Sequence, residues 1–110
     1  MTKETKDYKI LMAESDFEEQ VKHLFILYSW MYYHTHRSQF SASGFPDCVM
    51  IRMIPVPRLI FAELKTDDLV DSQPTFEQYG WLRALQDLGL PVEAYLWRPS
   101  DFDEIVEVAK

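Results

Sequence analysis

Asp47-Cys48-Val49-Met50-Ile51-Arg52-Met53, then Ile54-Pro55-Val56-Pro57, then Arg58-Leu59-Ile60-Phe61-Ala62-Glu63-Leu64-Lys65 is the stretch that decides the fold. Both flanking runs are rich in β-branched and large apolar residues. Only a short, proline-containing connection separates them, so they read as an antiparallel hairpin. Side chains two apart in a strand share a face, which groups Leu59, Phe61, Glu63 and Lys65. If Arg52 lies opposite Arg58, then Asp47 lies opposite Glu63, with Cβ atoms about 4.5–5.5 Å apart. Two carboxylates at that spacing repel unless a cation lies between them, and hard oxygen donors suit Mg2+ or Mn2+. A register shifted by one residue would send the two acids to opposite faces. The residues alone also allow an edge hairpin whose acids and lysine simply face water.

Working outward, the order of elements reads α-β-β-β-α-β-α. Ser15-Asp16-Phe17-Glu18 has the form of a capping box, and Phe17, Val21, Leu24, Phe25 and Tyr28 recur at helical spacing to about Trp30. Met31 to Thr35 reads as a short strand followed by a polar loop, Arg37 to Gly44. An acidic loop with Asp67, Asp68 and Asp71 follows the hairpin. A second helix starts at Thr75, turns Tyr79, Leu82 and Leu85 to the core and stops at Gly89. Val92 to Trp97 is a last strand, and Ser100 is placed to cap a terminal helix. These elements imply an α/β domain, a mixed sheet flanked by helices, over residues 13–110, with 1–12 as a polar N-terminal tail.

Composition sets limits on function. With 47% hydrophobic and 15% aromatic residues in 110 positions, the chain can build one modest core. No apolar run approaches the roughly 20 residues of a membrane span, and the polar start has no signal-peptide core. The expectation is a soluble, cytoplasmic protein. One cysteine, Cys48, excludes an internal disulfide and a cysteine-based zinc cluster, and its strand position points to burial. The net charge of −7 opposes tight, non-specific binding of a nucleic-acid duplex by a single chain.

Gly44-Phe45-Pro46-Asp47, the strand ending Phe61-Ala62-Glu63-Leu64-Lys65, the helix carrying Gln78 and Trp81, and the finish Trp97-Arg98-Pro99-Ser100-Asp101 together resemble the VRR-NUC domain. That family is a branch of the PD-(D/E)XK nuclease superfamily, and this chain is most similar to its small stand-alone phage and bacterial members. The resemblance runs from Glu14 to Val108. It implies a restriction-endonuclease-like core and a Mg2+- or Mn2+-dependent DNA endonuclease, acting on structured or branched DNA as a homodimer. The alternative class is a non-catalytic metal- and nucleic-acid-binding module.

Carried over by position, the resemblance makes Asp47 and Glu63 metal ligands, with the Leu64 carbonyl a further ligand. It makes Lys65 the group that orients the attacking water and offsets phosphate charge, and it gives Gln78 an active-site role. The last assignment competes with a capping box formed by Thr75 and Gln78. Glu14 matches the family's helix glutamate and is favoured as a ligand over Glu18, which would close the capping box at Ser15. His34 is a candidate substrate contact, while His36 has no assigned role. Arg37, Arg52 and Arg98 are candidate phosphate contacts. The aromatic run Tyr28, Trp30, Met31, Tyr32 and Tyr33 is a candidate homodimer patch. The proline-flanked hairpin and the acidic loop depart from the family pattern and leave substrate preference open.

Overall fold

The computed structural model describes residues 11–36 and 42–110. Phe17, Val21 and Phe25 lie on one face of helix α1 (Glu14–Leu27) and are fully buried. The expected capping box at Ser15 does not form. The helix starts earlier, with Ala13 at the N-cap, no side-chain cap, and the Phe17 amide bonded to the Ala13 carbonyl at 3.0 Å. Glu18 is thereby placed inside the helix, free to turn toward the sheet. At the other end Ser29 adopts φ 69°, and the amides of Ser29 and Trp30 bond to the carbonyls of Ile26 and Phe25, both at 3.0 Å. This is a Schellman ending, and its apolar contact is the Phe25–Trp30 edge-to-face pair at 5.2 Å.

Strands β1 (Met31–His34), β2 (Cys48–Arg52), β3 (Arg58–Leu64) and β4 (Val92–Trp97) form one sheet in that order. The first two pairings are antiparallel and β3–β4 is parallel, joined through helix α2 (Phe76–Leu88). After a 3-10 turn, Pro99–Asp101, helix α3 (Phe102–Ala109) ends the chain. Among the described residues the architecture is α/β, with a four-stranded mixed sheet and three helices. Among the described residues no helix is long and apolar enough to cross a membrane.

The register places Arg52 opposite Arg58 and Cys48 opposite Ala62, so its continuation sets Asp47 opposite Glu63. On the face toward α1 and α3, Cys48, Met50, Ile60, Ala62, Leu64 and Trp97 join Phe17, Val21, Phe25, Trp30, Ile105 and Ala109 in the main core. On the other face Leu82 and Leu85 of α2 pack on Ala94, with Phe61, Trp81, Val92 and Leu96 around them. Tyr79, expected in this core, is half exposed, and Trp81 takes the inward place against Phe45. Ser100 does not cap α3 but lies inside the 3-10 turn, where Asp101 Oδ2 accepts from the Arg98 amide at 2.9 Å. Cys48 is buried, and burial pushes its thiol well above the ordinary range.

Trp30 organises the end of the sheet where Arg52 and Arg58 meet. Both guanidinium groups stack on its ring, at 4.6 and 5.0 Å from the centroid. Arg52 also donates to the carbonyls of Tyr28, Ala109 and Lys110, which close α1 and α3. Arg58 forms a two-pronged pair with Glu93, both contacts 2.8 Å, and donates to the Val108 carbonyl. These bonds correct two expectations. Arg52 is committed to the scaffold rather than poised for phosphate, and the Tyr28–Tyr33 run is not one surface patch. Trp30 is buried and donates to the Ala109 carbonyl at 2.9 Å, Tyr28 and Tyr32 pack on the core, and only Met31 and Tyr33 stand out. Trp30→Ala should therefore cost about 3–5 kcal/mol, read by denaturant unfolding, because it removes core volume and the platform under two cations.

Candidate active site

Glu63 is the buried charge-bearing residue of the sheet, 1% exposed at the end of β3. Its Oε2 accepts from Gln78 Nε2 at 2.8 Å and lies 3.6 Å from Lys65 Nζ. Its Oε1 is buried with no hydrogen-bond partner. Burial first, then the charge of Asp47, push the Glu63 carboxyl up to about 8, against the opposing pull of Lys65. Asp47 itself is fixed twice: its Oδ2 accepts from the Leu64 amide at 2.8 Å, and its carbonyl accepts from the Thr35 amide at 2.8 Å. Leu64 thus holds Asp47 through its N–H, while the resemblance gives a role to its carbonyl.

A close approach that only glycine permits holds the pieces in place. Gly44 has φ +85°, and a Cβ there would lie 2.6 Å from the Glu77 carbonyl carbon and 2.7 Å from the Gln78 nitrogen. The Gly44–Asp47 loop can therefore sit directly on the first turn of α2. Phe45 wedges behind it against Phe61 and Trp81, and Trp81 Nε1 donates to the Ser43 carbonyl at 3.2 Å. Gln78 makes two contacts at once. Its amide oxygen accepts from the Thr75 amide at 2.8 Å, closing the capping box, while its NH2 reaches Glu63. An open groove of about 420 Å3 beside this junction is lined by Ser43, Glu77, Gly80, Trp81 and Ala84.

On the α1 side the charge of Asp47 acts on Glu18. Glu18 Oε2 contacts His34 Nδ1. Burial raises the Glu18 carboxyl, His34 opposes the shift, and the charge of Asp47 adds to it. Glu14 lies one turn back on the same helix face, where its charge also acts on Glu18. The signal that pointed away from Glu18 was the capping box that the structure does not form. His34 also meets His36 edge-to-face at 5.6 Å. Arg37 lies outside the described residues. Arg98 donates to the Thr66 carbonyl and so ties β4 to the segment after Lys65. The acidic loop is a folded turn. Asp68 Oδ1 accepts from the Val70 and Asp71 amides, both at 3.0 Å, which hold its carboxyl below the usual range.

Among the described residues no three His, Cys, Asp or Glu side chains converge on one point. The site is built on a pair of carboxylates, a donor set that fits Mg2+ or Mn2+, since such ions are held by one or two carboxylates with water and phosphate completing the shell. The unpartnered Glu63 Oε1 facing a second acid is the observation that makes the fit, because a cation there would satisfy the oxygen and remove the repulsion. Comparison with known protein families, with curated proteins and with solved structures gave no match.

Two outcomes follow from this geometry. Folded metal-free protein keeps a proton on Glu63 up to about 8, whereas the unfolded chain releases it in the ordinary carboxylate range. The Glu63 contribution to stability is then fully present below that ordinary range and is lost, by on the order of a few kcal/mol, as pH rises toward about 8. Denaturant unfolding in a chelator at several pH values should show that slope, Mn2+ should reduce it, and Glu63→Gln should flatten it. Gly44→Ala should lower stability by about 1–3 kcal/mol and weaken Mn2+ binding measured by calorimetry, since the loop carrying Asp47 must lift off α2.

Proposed function

We propose that this chain is a metal-dependent DNA endonuclease that hydrolyses phosphodiester bonds, in the manner of the VRR-NUC branch of the PD-(D/E)XK nucleases. The observation that carries the reading is Glu63. A buried carboxyl is held against a second acid with one oxygen unpartnered and a lysine 3.6 Å from the other. Strong perturbation by burial plus a specific charged neighbour is typical of functional groups. A purely structural acid would be expected to have both oxygens satisfied.

Asp47 and Glu63 would hold the cation. When bound, it would supply Lewis acidity toward phosphate and make hydroxide accessible near neutral pH. The other roles belong to the chain. The Leu64 amide and Gln78 fix the two carboxylates, so that each presents a set orientation. The Lys65 side chain is 12% exposed, which suits a group that meets a phosphate at the mouth of the site and offsets charge developing on its oxygens. Glu18 holds His34 at the rim as a contact for the substrate. The groove beside Trp81 is lined largely by apolar atoms and by Glu77, which suits an unstacked base better than a phosphate. That lining favours DNA with unpaired or branched segments.

The test is cleavage of plasmid, flapped and four-way DNA with Mg2+, Mn2+ or a chelator. Asp47→Ala and Glu63→Ala should abolish cleavage and weaken Mn2+ binding. Lys65→Ala should lower turnover by about 100-fold or more while keeping most of the Mn2+ affinity, and Lys65→Arg should not rescue it, because a planar guanidinium presents its donors differently. Cleavage by Lys65→Ala at the wild-type rate would refute the mechanism. Metal and DNA binding without cleavage of any substrate would favour the binding-module class.

A further inference from the structure

Gly80 stands inside helix α2, where glycine is less favourable than alanine. Its φ is not positive, and a Cβ built there would meet no atom of the described residues within 4 Å. Neither backbone conformation nor close packing therefore calls for glycine. Its missing side chain keeps open the floor of the groove of about 420 Å3 that Ser43, Glu77, Trp81 and Ala84 also line, a volume in the range of small-ligand sites. One wall of that groove is a fixed aromatic ring. Trp81 stands edge-to-face against Phe45 at 5.0 Å, and its Nε1 donates to the Ser43 carbonyl at 3.2 Å, so the indole is ordered before anything binds. Glu77 carries the one charge in the lining and is exposed. The next residue, Gln78, donates to Glu63 at 2.8 Å, which sets the groove beside the acid pair.

We infer that this groove is a recognition slot for a single unpaired guanine base, stacked on Trp81 over Gly80 and read by the Glu77 carboxylate. Stacking alone accepts every base. The carboxylate does not. An unpaired base exposes its base-pairing edge to side chains. On guanine that edge carries two adjacent donors, the ring N1–H and the N2 amino group, which match the two oxygens of one carboxylate. Adenine and cytosine each set one amino donor beside a ring-nitrogen acceptor, and thymine flanks its one N–H with two carbonyls. Each of these turns a lone pair toward the second carboxylate oxygen. A phosphate is repelled by the same charge. The inference rests on the proposed nuclease reading for its substrate class, DNA with an unpaired guanine beside the scissile phosphate, but the selectivity of the slot is a property of binding and is read without cleavage.

Heteronuclear NMR on the full chain tests it, with Ca2+ in place of Mg2+ or Mn2+. The probes are short single strands of thymidine carrying guanine, inosine, adenine, cytosine, thymine or an abasic site at the centre. The guanine strand should shift the Gly80 amide and Trp81 indole signals and bind about tenfold more tightly than the thymine strand. Inosine, which lacks the N2 amino group, should fall between them. Glu77→Gln, at an exposed position, should bring the guanine and thymine strands within about twofold of each other. Gly80→Ala should raise the midpoint of thermal unfolding, because a helix interior gains alanine, and yet weaken binding of the guanine strand several-fold. Equal binding of all the strands would overturn the inference, as would guanine binding unchanged by Gly80→Ala. So would Gly80 and Trp81 signals that a basic peptide moves and none of the strands does. A guanine preference in a chain that cleaves no DNA would uphold the slot and count against the nuclease, whereas cleavage without that preference would do the reverse.

Discussion

The pairing of β2 with β3 sets two like charges against each other at both ends of one hairpin. Arg52 meets Arg58 at one end, and Asp47 meets Glu63 at the other. The two conflicts are resolved to very different degrees. At the basic end the fold supplies the Trp30 ring, the Glu93 carboxylate and the last carbonyls of two helices, which together accept both cations. At the acidic end it supplies the Leu64 amide, Gln78 and Lys65, and one Glu63 oxygen is left unpartnered. A buried carboxylate without full compensation remains protonated well above its ordinary range. One hairpin therefore contains a charge pair that holds the fold together and a charge pair that strains it.

That strain is held in place by the start of α2. The same two positions, Thr75 and Gln78, cap the helix and orient Glu63, so the amide that satisfies the helix end is not free to swing away from the acid. Gly44 lets the preceding loop lie on this turn at a distance no side chain would allow, and Phe45 locks it against β3 and α2. Local capping, loop conformation and aromatic packing thus converge on the separation of Asp47 and Glu63. Precise placement of a charged site on helix and strand ends, supported by hydrogen bonds behind it, is what a preorganised reaction centre needs.

The hairpin and the Thr75–Gln78 cap were legible because each depends on contacts between residues near in sequence, whereas the hairpin sequence left its register open to a shift of one residue. The errors came where distant residues decide. Ser15 and Glu18 have the spacing of a capping box, but burial of Phe17, Val21 and Phe25 sets the helix phase, and the sheet offers Glu18 a partner in His34. Trp30 reads as one member of an aromatic run, yet alternation along β1 and the carbonyl of Ala109, 79 positions away, divide that run between core and surface. The commitment of Arg52 and Arg98 to backbone carbonyls was likewise invisible, because those carbonyls come from other elements.

The acidic composition also reads differently once its hydrogen bonds are known. Asp68 closes a turn onto the Val70 and Asp71 amides, Asp67 accepts from the Ser100 amide at 3.2 Å, and Asp101 accepts from the Arg98 amide. With Arg98 on the Thr66 carbonyl, these acids clamp the segment after Lys65 to the segment after β4. Backbone N–H groups directed at a carboxylate offset much of its field, so the nominal charge of −7 overstates the repulsion a phosphate meets near Lys65. Among the described residues the one buried carboxylate oxygen with no such partner belongs to Glu63. The acids around the site serve mainly to hold its frame, and the unpartnered Glu63 oxygen lies where the frame brings Glu63 to Asp47.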